Sequence, residues 1–277
     1  MLCPLSDLLR SATSDGTAVA QFNVWNCEML FGVMDAIERE KTGAVLATGS
    51  AFLPPEEIRL FAPMMLRAAA GSGQKIAVHF DHARTMQELE LAGELGFTSF
   101  MIDGSALPLE ENIALTCEAK RRLAGSGISL EGELGYLGEE TSDGAPICRS
   151  TDAVTALDYV SRTGVDALAV AIGNAHGVYR TQPKLDFTAL AAVTAAVPTP
   201  LVLHGGSGIG DGDIRRCVAG GIRKLNIHTE LCQAAMRAVA AGVGEKYSAL
   251  SRGIRREIAR CAAQKLRLLA GRPAPGA

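Results

Sequence analysis

The stretch Ile76-Ala-Val-His-Phe-Asp-His82 opens on apolar residues and closes on histidine and aspartate. That is the profile of a strand buried on both faces whose far end carries chemistry. Seven other runs share it: Ala18–Val24, Ala44–Gly49, Ser99–Asp103, Ser129–Gly135, Ala167–Ile172, Pro200–His204 and Lys224–Thr229. Between them lie amphipathic, helix-like stretches such as Glu56–Ala70, Thr85–Leu95, Glu110–Ala124 and Asp152–Thr163. Several of these start on acids or hydroxyls and stop at Gly71, Gly96, Gly125 or Gly164. Eight strands alternating with helices predict a closed (β/α)8 TIM barrel spanning residues 1–277 as one domain, with an open doubly wound sheet as the second choice. The Pro- and Gly-containing tail 272–277 is expected to fray.

Composition narrows the function. A chain of 277 residues, 48% hydrophobic, is long enough for one large core. Its net charge of −3, with both signs mixed along the chain, builds no basic field, so neither nucleic acid nor an anionic membrane is an expected partner. No apolar run reaches membrane-spanning length, and the opening MLCPLSDLLR lacks a signal-peptide pattern. The seven cysteines are scattered without a C-x-x-C pair, which reads as reduced thiols and a cytoplasmic protein.

Polarity collects at strand ends. Seven of the eight runs close on such residues, Gln21-Phe-Asn23, His79-Phe-Asp-His82, Asp103-Gly-Ser105, Glu131-Gly-Glu133, Asn174-Ala-His-Gly177, His204-Gly-Gly-Ser-Gly208 and Asn226-Ile-His-Thr229, the second run being the exception. In a barrel this is the C-terminal rim, where catalytic residues sit. His82, His176 and His204, from three separate loops, are placed to converge on one metal ion with an open fourth position. Satisfied rim histidines without metal are the alternative. His79 shares the strand face of Asp81 and reads as a core or supporting residue. The Gly-rich turn after His204, followed by helix starts near Asp211 and Thr229, suits a phosphate held by backbone amides. It is neither a G-x-G-x-x-G fingerprint nor a Walker loop. No lysine stands at a rim end, Lys75 and Lys224 being placed at the opposite ends of their strands, so Schiff-base chemistry is disfavoured.

Taken together, Phe80-Asp-His82, Met101-Ile-Asp-Gly-Ser105, Glu131-Gly-Glu-Leu-Gly135, Leu168–Gly177, Leu201–Gly208 and Lys224–Leu231 resemble, in order, the motifs of the class II aldolases. The resemblance runs from Ala18 to about Met236. It implies reversible, zinc-dependent cleavage of a ketose 1-phosphate or 1,6-bisphosphate to dihydroxyacetone phosphate and an aldehyde. By it, His82, His176 and His204 are zinc ligands, with Asp103 and Glu133 matching acids that hold an alternative metal position. Asp81 is the acid/base at the C4 hydroxyl. Asn23, Gly177, Gly205, Gly206, Ser207, Asn226, Ile227, His228 and Thr229 are implied at the substrate, with Na+ or K+ near its phosphate. A mobile loop after the fifth strand is implied to supply a glutamate for the C3 proton, here Glu139 or Glu140. The family also implies a homodimer or homotetramer.

Two departures bear on substrate. His228 stands where fructose- and tagatose-bisphosphate enzymes of the family carry Asp or Ala, and Tyr247–Ser251 lacks the arginine that the family lends from the neighbouring subunit to a distal phosphate, although Arg252, Arg255 and Arg256 follow closely. The pairing of Phe22-Asn-Val-Trp-Asn26 with Asn226-Ile-His-Thr-Glu-Leu231 resembles an offshoot acting on other, longer phosphorylated ketoses. Rival readings are another metal-dependent barrel lyase, isomerase or hydrolase, and a non-catalytic sugar-phosphate-binding partner subunit. The first strand lacks the H-x-H pair common in barrel hydrolases, and a companion subunit would be expected to lose the histidines and Asp81.

Overall fold

The computed structural model describes residues 1–140, 146–175, 177, 179 and 181–273, with 136–140 and 146–149 described as backbone. Eight parallel strands close a barrel: β1 (Val19–Asn23), β2 (Ala44–Thr48), β3 (Ile76–Ala83), β4 (Ser99–Ile102), β5 (Ser129–Leu134), β8 (Ala167–Val170), β9 (Leu201–Leu203) and β10 (Ile222–Ile227). Each falls within two residues of its expected bounds. After β5 the chain adds a two-stranded antiparallel ribbon, β6 (Tyr136–Glu140) and β7 (Pro146–Arg149), where the family resemblance implies a loop.

Strand alternation sorts side chains into two environments. Outward residues, among them Phe22, Leu46, Val78, Phe80, Phe100, Leu130, Leu168, Leu203 and Ile227, pack against the surrounding helices in the main core. Inward residues form layers. At the N-terminal end the layer is apolar, with Val19, Val45, Ala77, Ala167 and Val202. Above it the interior turns polar and stays buried: Gln21, His79, Ser99, Glu131 and Lys224, then Asn23, Asp81, Glu133, His204 and Asn226.

Helix α1 (Leu5–Asp15) closes the floor of the barrel. Its apolar face of Leu5, Leu8, Leu9 and Ala12 joins the inward Val and Ala residues in one cluster. Gly16 ends it in the left-handed conformation, φ 65°. The outer helices follow local rules: Thr85 and Glu88 form a capping box on α4 (Met86–Leu95), and Asp152 caps α6 (Ala153–Thr163). Arg272, at the start of the tail expected to fray, donates to the Glu40 carbonyl at 2.6 Å.

Because Leu9 is 1% exposed within this floor, Leu9→Ala is expected to cost about 2–5 kcal/mol and lower Tm by roughly 4–20 °C. Calorimetry showing no loss would mean that α1 does not seal the barrel.

Candidate active site

The polar upper layers open into a pocket of about 770 Å3 at the C-terminal rim. Its walls include Asn23, Asp81, His82, Asp103, Glu133 and His228.

His82 is placed by a distortion of β3. His79 and Phe80 pair with Ser99 and Phe100 of β4, but Ile102 then pairs with Ala83, so β3 takes three steps against two. This bulge puts one extra residue into β3, and His82 takes a φ of +51°, strained for a residue with a side chain. The backbone is held closely there, since a Cβ on Gly49 would lie 2.2 Å from the Asp81 carbonyl oxygen. The consequence is local and chemical: His82 leaves the strict alternation, and its ring meets His204 edge-on with centroids 4.8 Å apart.

Their nitrogens define the site. His82 Nδ1 lies 3.0 Å from Asp103 Oδ2, and His204 Nε2 lies 2.9 Å from Glu131 Oε1. A carboxylate accepts and cannot donate, so these ring nitrogens carry hydrogens. The remaining nitrogens, His82 Nε2 and His204 Nδ1, face each other at 3.0 Å. Two lone pairs at that separation need a proton or a cation between them. Glu133 Oε2 lies 3.8 Å from His82 Nδ1 and 4.0 Å from His204 Nδ1, and has no hydrogen-bond partner among the described residues. One ligand atom each from His82, Glu133 and His204 lies within 4.8 Å of the other two. Tetrahedral zinc, with Zn–N of about 2.0–2.1 Å, sets its ligand nitrogens about 3.3 Å apart. The histidine pair needs only a few tenths of an ångström to fit.

Electrostatics point the same way. Burial and the neighbouring Asp103 carboxylate push the Glu133 carboxyl well above its usual range. Burial alone would lower His82, but Asp81, Asp103 and Glu133 outweigh it and raise the imidazole to about 9. Burial would likewise raise Asp81, yet the charge on His82 and the His79 ring beside it hold that carboxyl well below the usual range. The cluster is an excess of carboxylates around two imidazoles, and a divalent cation would balance it.

Further supports come from inside the barrel. Lys224 Nζ lies 3.0 Å from Glu131 Oε2 and donates to Gln21 and Asn226 at 2.6 and 2.8 Å. β10 begins at Ile222, so Lys224 is a mid-strand interior residue and not the strand-start residue that the sequence pattern suggests. Burial pushes the Glu131 carboxyl up, but Lys224 and His204 bring it down to about 2. Asn23 donates to Asp81 Oδ2 at 2.6 Å, and the other Asp81 oxygen, with His79 Nε2 at 3.5 Å, has no hydrogen-bond partner among the described residues. Asn174 donates to the His204 carbonyl at 3.0 Å and fixes the end of β9.

Seven of the nine residues expected at the substrate line the pocket: Asn23, Gly177, Gly205, Ser207, Asn226, His228 and Thr229. Gly206 and Ile227 do not. Gly206 packs behind, where a Cβ would meet Leu225 at 2.6 Å, and the Ile227 side chain belongs to the outer core. Gly205 has a φ of 63°, and a Cβ there would overlap the Ala175 carbonyl oxygen at 1.9 Å, so this turn admits only glycine. Ser207 Oγ accepts from the amides of His228 and Glu230 at 3.2 Å, tying the glycine turn to the start of α9 (Thr229–Ala241). That helix N-terminus opens on the pocket wall and suits an anion.

Asp103 does more than the expected metal contact requires, accepting from His82 and from the Ser105 hydroxyl at 2.7 Å. His176 lies outside the described residues, as do the side chains of Glu139 and Glu140, whose backbone forms β6. Glu131 is absent from the sequence-based site, although its spacing of two from Glu133 on one strand face signals it.

The fructose-bisphosphate aldolase class-II family model matches residues 3–272. The Escherichia coli K12 protein YdjI is 42% identical over 270 residues, 97% of each chain. Its crystal structure, described as that of an aldolase, superposes with a TM-score of 0.90 over 97% of each chain at the same identity. The sulfofructosephosphate aldolase of Alkalicoccus urumqiensis is 33% identical, covering 81% of this chain and 79% of that protein. A fructose-bisphosphate aldolase structure from Campylobacter jejuni, 21% identical, shares the fold, with a TM-score of 0.82 over 97% of this chain and 95% of that one. The chain belongs to the class II fructose-bisphosphate aldolase family. Members of that family are lyases acting on phosphorylated sugars.

If Glu131 sets the His204 tautomer, Glu131→Gln should weaken divalent-metal affinity by about 10–100-fold. Competition with a chelator measures this, and unchanged affinity would remove Glu131 from the site.

Proposed function

We propose that this protein reversibly cleaves a C1-phosphorylated ketose into dihydroxyacetone phosphate and an aldehyde. The observation that carries the reading is the facing pair His82 Nε2 and His204 Nδ1, 3.0 Å apart, with Glu133 Oε2 beside them without a hydrogen-bond partner among the described residues and Asp81 lining the same pocket. His82 and His204, with His176 as the third, would hold zinc, and Glu133 offers an alternative ligand. Asp103 is proposed chiefly to position His82. When bound, zinc supplies Lewis acidity for negative charge developing on substrate oxygens.

The chain's own residues supply the proton chemistry. Asp81, held ionised and anchored by Asn23 through one oxygen, has its other oxygen available to accept the C4 hydroxyl proton. As that proton leaves, C4–O becomes a carbonyl and the C3–C4 bond breaks, with its electron pair remaining on the three-carbon half. Protonation at C3 completes cleavage, and Glu139 or Glu140 is the proposed donor. In the condensation direction Asp81 returns its proton to the new hydroxyl. Gly177, Gly205, Ser207, Asn226, Thr229 and the backbone at His228 are proposed to surround the C1 phosphate, with α9 directing its N-terminus at it and Na+ or K+ alongside, which leaves the His228 side chain to the other half of the substrate. Gly206 and Ile227 act there through backbone and packing.

His228 and the missing distal arginine favour a ketose other than fructose 1,6-bisphosphate, longer or acidic at its far end. A cytoplasmic homodimer or homotetramer is part of the same proposal, and among the described residues no helix is long and apolar enough to cross a membrane. A purely sugar-phosphate-binding subunit is the weaker reading, because binding alone gives no reason to hold Asp81 ionised beside a metal cluster.

Purified protein is expected to contain about one zinc per chain, and EDTA to abolish release of dihydroxyacetone phosphate from a ketose 1-phosphate. Turnover that survives chelation would refute the metal-dependent reading. Asp81→Ala should retain zinc and lose turnover by about 10²-fold or more; near-normal turnover would remove Asp81 from the proton path. A strong kinetic preference for fructose 1,6-bisphosphate over every longer or acidic ketose 1-phosphate would contradict the substrate reading.

A further inference from the structure

Two motifs far apart in sequence meet at one imidazole. Trp25, in the turn after β1, lies with its indole nitrogen 3.3 Å from His228 Nε2 and donates to it. Cys232, one turn into α9, places Sγ 3.2 Å from the same nitrogen. Phe52, beyond β2, packs edge-on against the ring with centroids 4.8 Å apart. Indole N–H donates and never accepts. Nε2 must therefore offer its lone pair, because a hydrogen there would meet the indole hydrogen head-on. The thiol hydrogen can share that lone pair as a second, weaker donor. In a neutral ring the hydrogen then sits on Nδ1. Burial keeps the ring neutral by lowering its proton affinity, with only partial opposition from Asp81.

His228 lines the pocket together with Asn23, Asp81 and Asn226, and no hydrogen bond joins its Nδ1 to a described residue. A single directed donor is thus held beside the proposed acid/base. We propose that Trp25 and Cys232 fix His228 as an Nδ1–H donor that reads a hydroxyl oxygen on the aldehyde half of the substrate. The inference rests on the aldolase reading above and adds to it a named specificity element.

The test uses the full-length, zinc-loaded protein in the condensation direction, with dihydroxyacetone phosphate and matched aldehydes that carry or lack a 2-hydroxyl, such as lactaldehyde and propanal. Wild type should favour the hydroxylated partner by roughly 10–100-fold in kcat/KM. His228→Leu should reduce that ratio to about threefold or less, with zinc content kept, and His228→Asn, which keeps a donor, should restore part of it. Trp25→Phe should lower the ratio without abolishing turnover. Long-range 1H–15N spectra of histidine-labelled protein give an independent readout, with His228 expected as the Nδ1–H tautomer and shifted toward Nε2–H in Trp25→Phe. An Nε2–H ring in wild type, or a preference that survives His228→Leu, would overturn the proposal. Failure to condense any aldehyde would instead overturn the aldolase reading and the substrate role with it, while the spectra would still decide the Trp25–His228 pairing.

Discussion

Two imidazole nitrogens, His82 Nε2 and His204 Nδ1, stand 3.0 Å apart with a carboxylate behind each ring. Asp103 and Glu131 take the outer hydrogens, which turns the inner nitrogens toward each other with room between them for one proton or a cation. That arrangement is costly unless something positive lies between them, so the surroundings make sense as its support. Lys224 balances Glu131 within the layer below the histidines, and Asn174 pins the His204 backbone. Glu133, whose buried Oε2 has no hydrogen-bond partner among the described residues, adds a further carboxyl group that a cation would satisfy.

The barrel carries this charge cluster by separating its tasks along the axis. Apolar side chains and α1 seal the floor, the polar layers occupy the middle, and the pocket opens at the rim. Outward-facing residues of the same strands supply the hydrophobic stabilisation, so buried ionisable groups inside need not stabilise the fold themselves. One local irregularity, the β3 bulge with His82 at positive φ, takes a regular strand out of alternation and brings the His82 ring against His204. Glycine at 49 is the matching concession on the neighbouring strand.

Much of this was legible in the sequence because it is periodic. Short apolar runs with polar ends located the eight strands, and strand alternation set which residues share a face. The α1 floor escaped notice because a single amphipathic helix does not announce what it packs against. The β6–β7 ribbon escaped because its strands are only five and four residues long and Gly138 interrupts the first, too little chain for an alternation to be read. Lys224 was misplaced to a strand end because the preceding Ile222-Arg223 breaks the apolar pattern. Glu131 could be put on the right face but not given a partner, since the His204 contact spans 73 residues. The same limit applies to Trp25 and His228: both motifs were visible, and their meeting through the closed barrel was not.

The central claim, that the facing histidine nitrogens hold the catalytic ion, is tested most directly by anomalous diffraction at the zinc edge from crystals of protein purified without chelator. The account predicts one strong peak per chain within bonding distance of His82 Nε2 and His204 Nδ1. Zinc bound elsewhere on the chain, or a hydrogen bond closing the histidine pair in zinc-saturated crystals with no peak between them, would contradict it.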